Sequence, residues 1–290
     1  MFTISMIAPP GELSHDRVEG QCETWSGEKP VWLSDNEAAE FSVSRMPSDF
    51  WAVWENLQAA RIDMVIQESQ YRRKRVLLAD MDSTMIGQEC IDELAEEAGV
   101  GEFVKAVTAK AMNGELDFED ALKERVALLR DLPVGIIQKV IDERITLAPG
   151  GRELVATMKA NGCYAALVSG GFTAFTFYIA ETLGFDENRA NVLLMNDAKL
   201  TGEVGYPILG RDAKVQAMDE ITKQLGLTNA DVIAVGDGAN DLGMLGRAGS
   251  GVAMHAKPNV AAQCALRINH CDLRALLFMQ GYHAADFFPR

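Results

Sequence analysis

Two aspartates stand two residues apart in Asp80-Met81-Asp82-Ser83-Thr84, directly after the apolar run Val76-Leu77-Leu78-Ala79. Paired carboxylates can divide labour, one attacking an electrophile while the other moves a proton. Further along, Ser169-Gly170-Gly171-Phe172 closes a second apolar run, and a hydroxyl with glycine N–H groups at a helix start can hold phosphate oxygens. Lys214 follows the Gly210-Arg211-Asp212 turn near a helix start, where it offers a point positive charge to a transition state. A fourth group, Gly236-Asp237-Gly238-Ala239-Asn240-Asp241, ends another apolar run. Taken singly, D-x-D is a solvating or capping pair, the glycine turns are ordinary turns, and Lys214 is a surface lysine. Their order and their placement at strand ends make the set specific. Asp80 and Asp237, with a main-chain carbonyl near Asp82, are hard oxygen ligands suited to Mg²⁺, which would cancel the repulsion between an attacking carboxylate and a phosphate dianion.

The elements that must position these groups are legible after residue 75. Short continuous apolar runs, each marking a strand buried on both faces, occur at 76–79, 164–168, 192–195, 231–235 and 251–254. Helical patterns at 151–160 and 213–224 separate several of them. Alternating strands and helices predict an α/β fold with a mostly parallel sheet, whose ligands bind beyond the carboxyl ends of the strands. The interval 90–145 reads as helices without a strand and is expected to be an inserted helical unit, 87–145, in a core made of 75–86 and 146–290. All four tryptophans (Trp25, Trp32, Trp51, Trp54) precede residue 55, so a separate small α+β unit is expected over 1–70, with a helix over 50–66. The basic stretch Tyr71–Arg75 reads as a solvated linker between the two.

With D-x-D-S-T, V-S-G-G-F and V-G-D-G-A-N-D in this order, the chain resembles the haloacid dehalogenase (HAD) superfamily over residues 75–290, and within it the phosphoserine phosphatases. The resemblance implies a Rossmann-like HAD core with a helical cap, and a phosphoaspartyl intermediate. It makes Asp80 the nucleophile and Asp82 the general acid and base. It assigns phosphate binding to Ser169, Gly170 and Lys214, and Mg²⁺ coordination to Asp80, Asp82 (by its carbonyl) and Asp237. Asn240 would touch substrate, and Asp241 would support lysine and metal from behind.

The helical insertion should decide the substrate. Asp117 can cap a helix with Asp120 three residues on, and Phe118 and Arg125, two turns apart, share a face. An arginine beside an aromatic could fork onto a carboxylate, although spacing alone reads Arg125 as exposed and Glu89 as a surface glutamate. The family pattern instead implies that Glu89 meets a substrate ammonium and that Met112, Phe118 and Arg125 contact the amino acid. The implied reaction is hydrolysis of O-phospho-L-serine to L-serine. Transfer of the phosphoryl group to homoserine uses the same residues, and the sequence leaves water and a small alcohol open as acceptors. Longer relatives also suggest, by analogy, an amino-acid-binding regulatory role for 1–70.

Composition narrows the remaining classes. Forty-two acidic against 27 basic side chains give a net charge of −15, which argues against nucleic acid and anionic membrane surfaces as partners. Residues 1–70, with 12 acids and 4 bases, hold −8 of it. No apolar stretch reaches the roughly 18 residues of a membrane span. Five widely spaced cysteines without a C-x-x-C pair, and no signal-peptide pattern, predict reduced thiols and a cytoplasmic protein. The four histidines are scattered and receive no role, and a homodimer is a possible assembly.

Overall fold

A computed structural model describes residues 1–112, 115 and 117–289, without the side chains of Ala111 and Met112. The chain begins with β1 (Phe2–Ile7), α1 (His15–Thr24), β2 (Val31–Ser34), β3 (Ala38–Val43), α2 (Phe50–Gln58) and β4 (Asp63–Glu68), the strands forming an antiparallel sheet in the order β2-β3-β1-β4. Its helical side is filled by Ile4, Met6, Phe41, Phe50 and Leu57. The helix expected over 50–66 is shorter than its apolar pattern. Arg61 has φ 57, a left-handed conformation that ends the helix, and the β-branched segment after it becomes β4.

The second sheet starts at β5 (Val76–Ala79). Four helices follow, α3 (Cys90–Glu97), α4 (Gly101–Met112), α5 (Phe118–Ala127) and α6 (Gly135–Glu143), before α7 (Gly151–Ala160), β6 (Tyr164–Phe172), α8 (Thr173–Leu183) and β7 (Glu187–Asn191). A hairpin, β8 (Leu193–Asn196) and β9 (Lys199–Val204), leads to α9 (Arg211–Leu225). The chain ends through β10 (Val232–Gly236), α10 (Leu242–Arg247), β11 (Ser250–Met254), α11 (Pro258–Ala261), β12 (Leu266–Ile268) and α12 (Ala275–Met279). Six strands pair in the order β12-β11-β10-β5-β6-β7, and every pairing is parallel. The central strands β5 and β10 are buried along their whole length, as continuous apolar runs require.

One expected strand lies elsewhere. Residues 192–195 do not enter the parallel sheet; Leu193–Asn196 pairs antiparallel with β9, and Val192, Leu194 and Met195 are exposed. The sheet's edge strand is instead the polar β7, Glu-Asn-Arg-Ala-Asn, whose single buried edge needs no apolar run. The basic stretch is solvated only in part: Tyr71, Arg73 and Arg75 are exposed, whereas Arg72 and Lys74 are not. Arg72 forks onto Glu40 at 2.7 and 2.9 Å, and Arg73 lies 4.2 Å over the Tyr282 ring. Lys74 is buried, donating from Nζ to the Ala230 carbonyl at 2.8 Å. These contacts pin the antiparallel sheet against the carboxyl-terminal segment.

Candidate active site

β5 and β10 are parallel neighbours, so the loops after them leave the sheet side by side. Asp80 donates its N–H to the Val235 carbonyl at 3.0 Å, which fixes the residue after β5 beside the end of β10. Asp241 folds back over that end, accepting from the N–H groups of Asp237 and Gly238 at 3.1 and 3.0 Å. A Cβ at Gly236 would overlap the Asp241 carboxylate, which is why glycine ends β10. Lys214, on the first turn of α9 and 1% exposed, donates to Asp241 Oδ1 at 2.6 Å and Asp80 Oδ1 at 2.5 Å. The three aspartates and the lysine, up to 161 residues apart in sequence, form one buried cluster.

Its charge is unbalanced. Burial, followed by the fields of Asp241 and Asp237, raises the Asp80 carboxyl well above its ordinary value against the opposing pull of Lys214. Burial and Asp241 raise Asp237 to about 7. Burial disfavours the Lys214 ammonium, but Asp241 and Asp80 outweigh it, so the lysine is held charged. Carboxylate oxygens of Asp80, Asp237 and Asp241 lie within 4.8 Å of one another, a spacing that fits a divalent cation. Both Asp241 oxygens already accept hydrogen bonds, whereas Asp237 Oδ2 is buried without one among the described residues and has Lys257 Nζ at 3.5 Å. The donor set therefore fits a metal held by Asp80 and Asp237, with Asp241 behind them.

Asp82 is not among the carboxylates gathered around Lys214 and is held by other partners. Its Oδ1 accepts from the Cys90 N–H at 3.1 Å, and a Cβ at Gly171 would come within 2.5 Å of its Oδ2. Burial raises the Asp82 carboxyl, with the bonds from Cys90 opposing. Ser169 Oγ accepts from the Gly171 N–H at 2.9 Å, leaving its own proton free to donate.

The helical insertion closes over these groups. Asp80, Asp82, Glu89, Phe118, Arg125, Ser169, Gly170 and Asn240 line one cavity of about 40 Å³, room for only a few waters. Asp117 caps α5 as its spacing predicts, accepting from the Asp120 N–H at 3.0 Å. Arg125 is not the exposed arginine of the spacing argument: it is 5% exposed, donating to the Ala121 carbonyl and to Thr108 Oγ1, both at 2.9 Å. Thr108 in turn donates to Asp92 at 2.6 Å. Nor is Glu89 a surface glutamate, since it accepts from Ser83 at 2.6 Å at the cavity wall. Asn240 Oδ1 is buried without a hydrogen bond among the described residues. The expected contact of Met112 lies outside them. Thr108, Asp92 and Lys257 escaped the sequence reading; for the first two, the only available signal was a hydroxyl and a carboxylate on the helices preceding Arg125.

A parallel α/β sheet binds its ligands beyond the carboxyl ends of its strands, and here that edge carries a buried carboxylate–lysine cluster whose donors fit a cation. The model of the haloacid dehalogenase-like hydrolases matches residues 77–246, and the chain belongs to that family. It is 43% identical over 206 residues to a phosphoserine phosphatase of Methanocaldococcus jannaschii, covering 71% of this chain and 97% of that protein. A HAD family hydrolase from Salmonella enterica serovar Typhi superposes with a TM-score of 0.86 at 29% identity, over 96% of this chain and 97% of its own. A phosphoserine phosphatase structure described as a phospho-aspartyl intermediate analogue matches with a TM-score of 0.68 at 43% identity, over 71% of this chain and 98% of that one.

Proposed function

We propose that the protein hydrolyses O-phospho-L-serine to L-serine and phosphate through an aspartyl phosphate on Asp80, with Mg²⁺ as its resident cation. The observation that carries this reading is the single cavity in which a buried aspartate and a hydroxyl-glycine turn meet one arginine and one glutamate. Those groups match the phosphate, carboxylate and ammonium of the substrate. The relatives named phosphoserine phosphatases support it.

Asp80 and Asp237, with the Asp82 carbonyl, would hold the cation, which when bound polarises the phosphoryl group and screens its charge from Asp80. Lys214 engages Asp80 Oδ1 and leaves the other oxygen to attack phosphorus in line. The Ser169 hydroxyl and the glycine turn hold phosphate oxygens. As the phosphorus–oxygen bond to serine breaks, Asp82 delivers its proton to the departing alkoxide, a role suited by its raised carboxyl. Asp82, now a carboxylate, takes a proton from water, whose oxygen attacks the acyl phosphate and releases Asp80. The cavity is too small for the substrate as it stands, so the insertion lifts to admit it. On this reading residues 1–70, the core 75–86 and 146–290, and the cap 87–145 are separate units, and the five free cysteines suit a reducing cytoplasm.

Phosphate release from O-phospho-L-serine, with and without Mg²⁺, tests the proposal. Asp80→Asn should lose on the order of 10⁴-fold or more in kcat, and a folded Asp80→Asn protein with near-full activity refutes the mechanism. Arg125→Ala should raise KM for phosphoserine on the order of 10- to 100-fold and much less for p-nitrophenyl phosphate, which has no carboxylate to bind. Equal effects on both would remove Arg125 from substrate recognition.

A further inference from the structure

Phe118, the first residue of α5, inserts its ring between two glycines of the core. A Cβ at Gly170 would stand 2.7 Å from Phe118 Cζ, and one at Gly210 would stand 3.1 Å from Cδ1. A side chain at Gly170 would collide with the ring, and one at Gly210 would press on it, so that the ring must give by a few tenths of an ångström. Neither glycine has a positive φ, and Gly210 stands at φ −111, ψ −148. Both glycines are therefore accounted for by the ring rather than by a positive φ.

The two glycines lie on separate segments, and one side chain ties those segments together. Asn191, the last residue of β7, is 1% exposed. Its Nδ2 donates to the Gly170 carbonyl at 2.8 Å and to the Leu209 carbonyl at 3.2 Å, and its Oδ1 accepts from the Leu209 N–H at 2.7 Å. Both donors and the acceptor of a buried amide are thus spent on holding Gly170 beside the residue before Gly210. Such a fully satisfied buried polar group fixes geometry, because any displacement leaves a polar atom unpaired.

We propose that Asn191 is a positioning residue that holds the Gly170–Gly210 slot at the width of the Phe118 ring, and so sets how far the helical insertion closes over substrate. This rests on the phosphatase reading and concerns the same site. Phe118 and Arg125 are carried by the same helix, so seating the ring also places the guanidinium that faces the cavity. The slot adds no chemistry; it determines whether the groups on α5 reach a molecule bound at Asp80.

Gly210→Ala tests the slot at a position without a positive φ. In a wild-type background it should lower kcat/KM for O-phosphoserine about tenfold, mainly through KM. In a Phe118→Ala background, where the ring is gone, the same substitution should change kcat/KM less than about twofold. Asn191→Asp keeps the size but removes both donors, and its cost should likewise shrink in the Phe118→Ala background. Thermal melts of each protein check that the compared enzymes are folded; if Asn191→Asp does not fold, the Gly210 cycle alone decides. Equal losses with and without the Phe118 ring would overturn the proposal, as would full kcat/KM in folded Gly210→Ala. Running the cycle also with p-nitrophenyl phosphate separates the two ideas. Wild-type turnover of that ester but not of phosphoserine would sink the substrate assignment, while the coupling between Gly210 and Phe118 would still be read from it.

Discussion

Asp237 places a buried carboxylate beside two others with less positive charge than the three need. Its carboxyl is raised from an ordinary 3.8 to about 7, first by burial and then by Asp241. The folded protein therefore keeps a proton here that the unfolded chain has released, and without metal its stability falls as pH rises across that window. A divalent cation binds the ionised pair and reverses the trend. In chelator, Tm should drop between about pH 4 and about pH 7, and added Mg²⁺ should raise Tm more at the higher pH; a Tm increment independent of pH would contradict this. Thr108 is the second residue with a checkable role. Thr108→Val removes the acceptor of Arg125 while keeping shape, and should raise KM for phosphoserine about tenfold with kcat little changed. The cluster around Asp80 was legible in the sequence because Asp80 and Asp237 each directly follow an apolar run, and Asp241 stands four residues after Asp237 in the same turn. Thr108, Asp92 and Asn191 were not, because their roles exist only as contacts across elements whose docking no local pattern encodes.

At the scale of elements, buried strands announced themselves and edge strands did not. β5 and β10 are apolar throughout, whereas β7 is polar and β12 is three residues long. The apolar run at 192–195 misled for the converse reason: its side chains are exposed in a hairpin outside the main sheet. The start of α5 was readable, since a side-chain cap is local chemistry. Asp117 accepts the Asp120 N–H at the start of α5, and Asp117→Ala should lower stability by about 1 kcal/mol. Urea unfolding should show a lower midpoint at unchanged slope, and Asp117→Asn, which retains the acceptor, should restore most of it.

At the scale of the whole molecule, the antiparallel sheet is joined to the core by side chains rather than by a tether. Asp63, fully buried at the start of β4, accepts the N–H groups of Asn269, His270 and Cys271 at 2.8, 3.0 and 2.9 Å, just beyond β12. Arg267 of β12 lies 4.7 and 5.3 Å over the rings of Trp51 and Trp54. Pairs of Arg72 with Glu40 and Arg274 with Glu37 offset part of the acidity of the first 70 residues across the same junction. Asp63→Ala strands three backbone donors and should destabilise the protein by on the order of 3 kcal/mol or more, read by urea unfolding, without changing KM for substrate in the folded protein. A change below about 0.5 kcal/mol would show that water replaces the carboxylate at no loss. The junction also sets an order on synthesis. Asp63 and its partner Asn269 are 206 residues apart, so β4 leaves the ribosome long before the strand that covers it. Until residues 266–271 are made, the rim of the first sheet stands open, and that interval is when a nascent chain is most exposed to pairing with its neighbours.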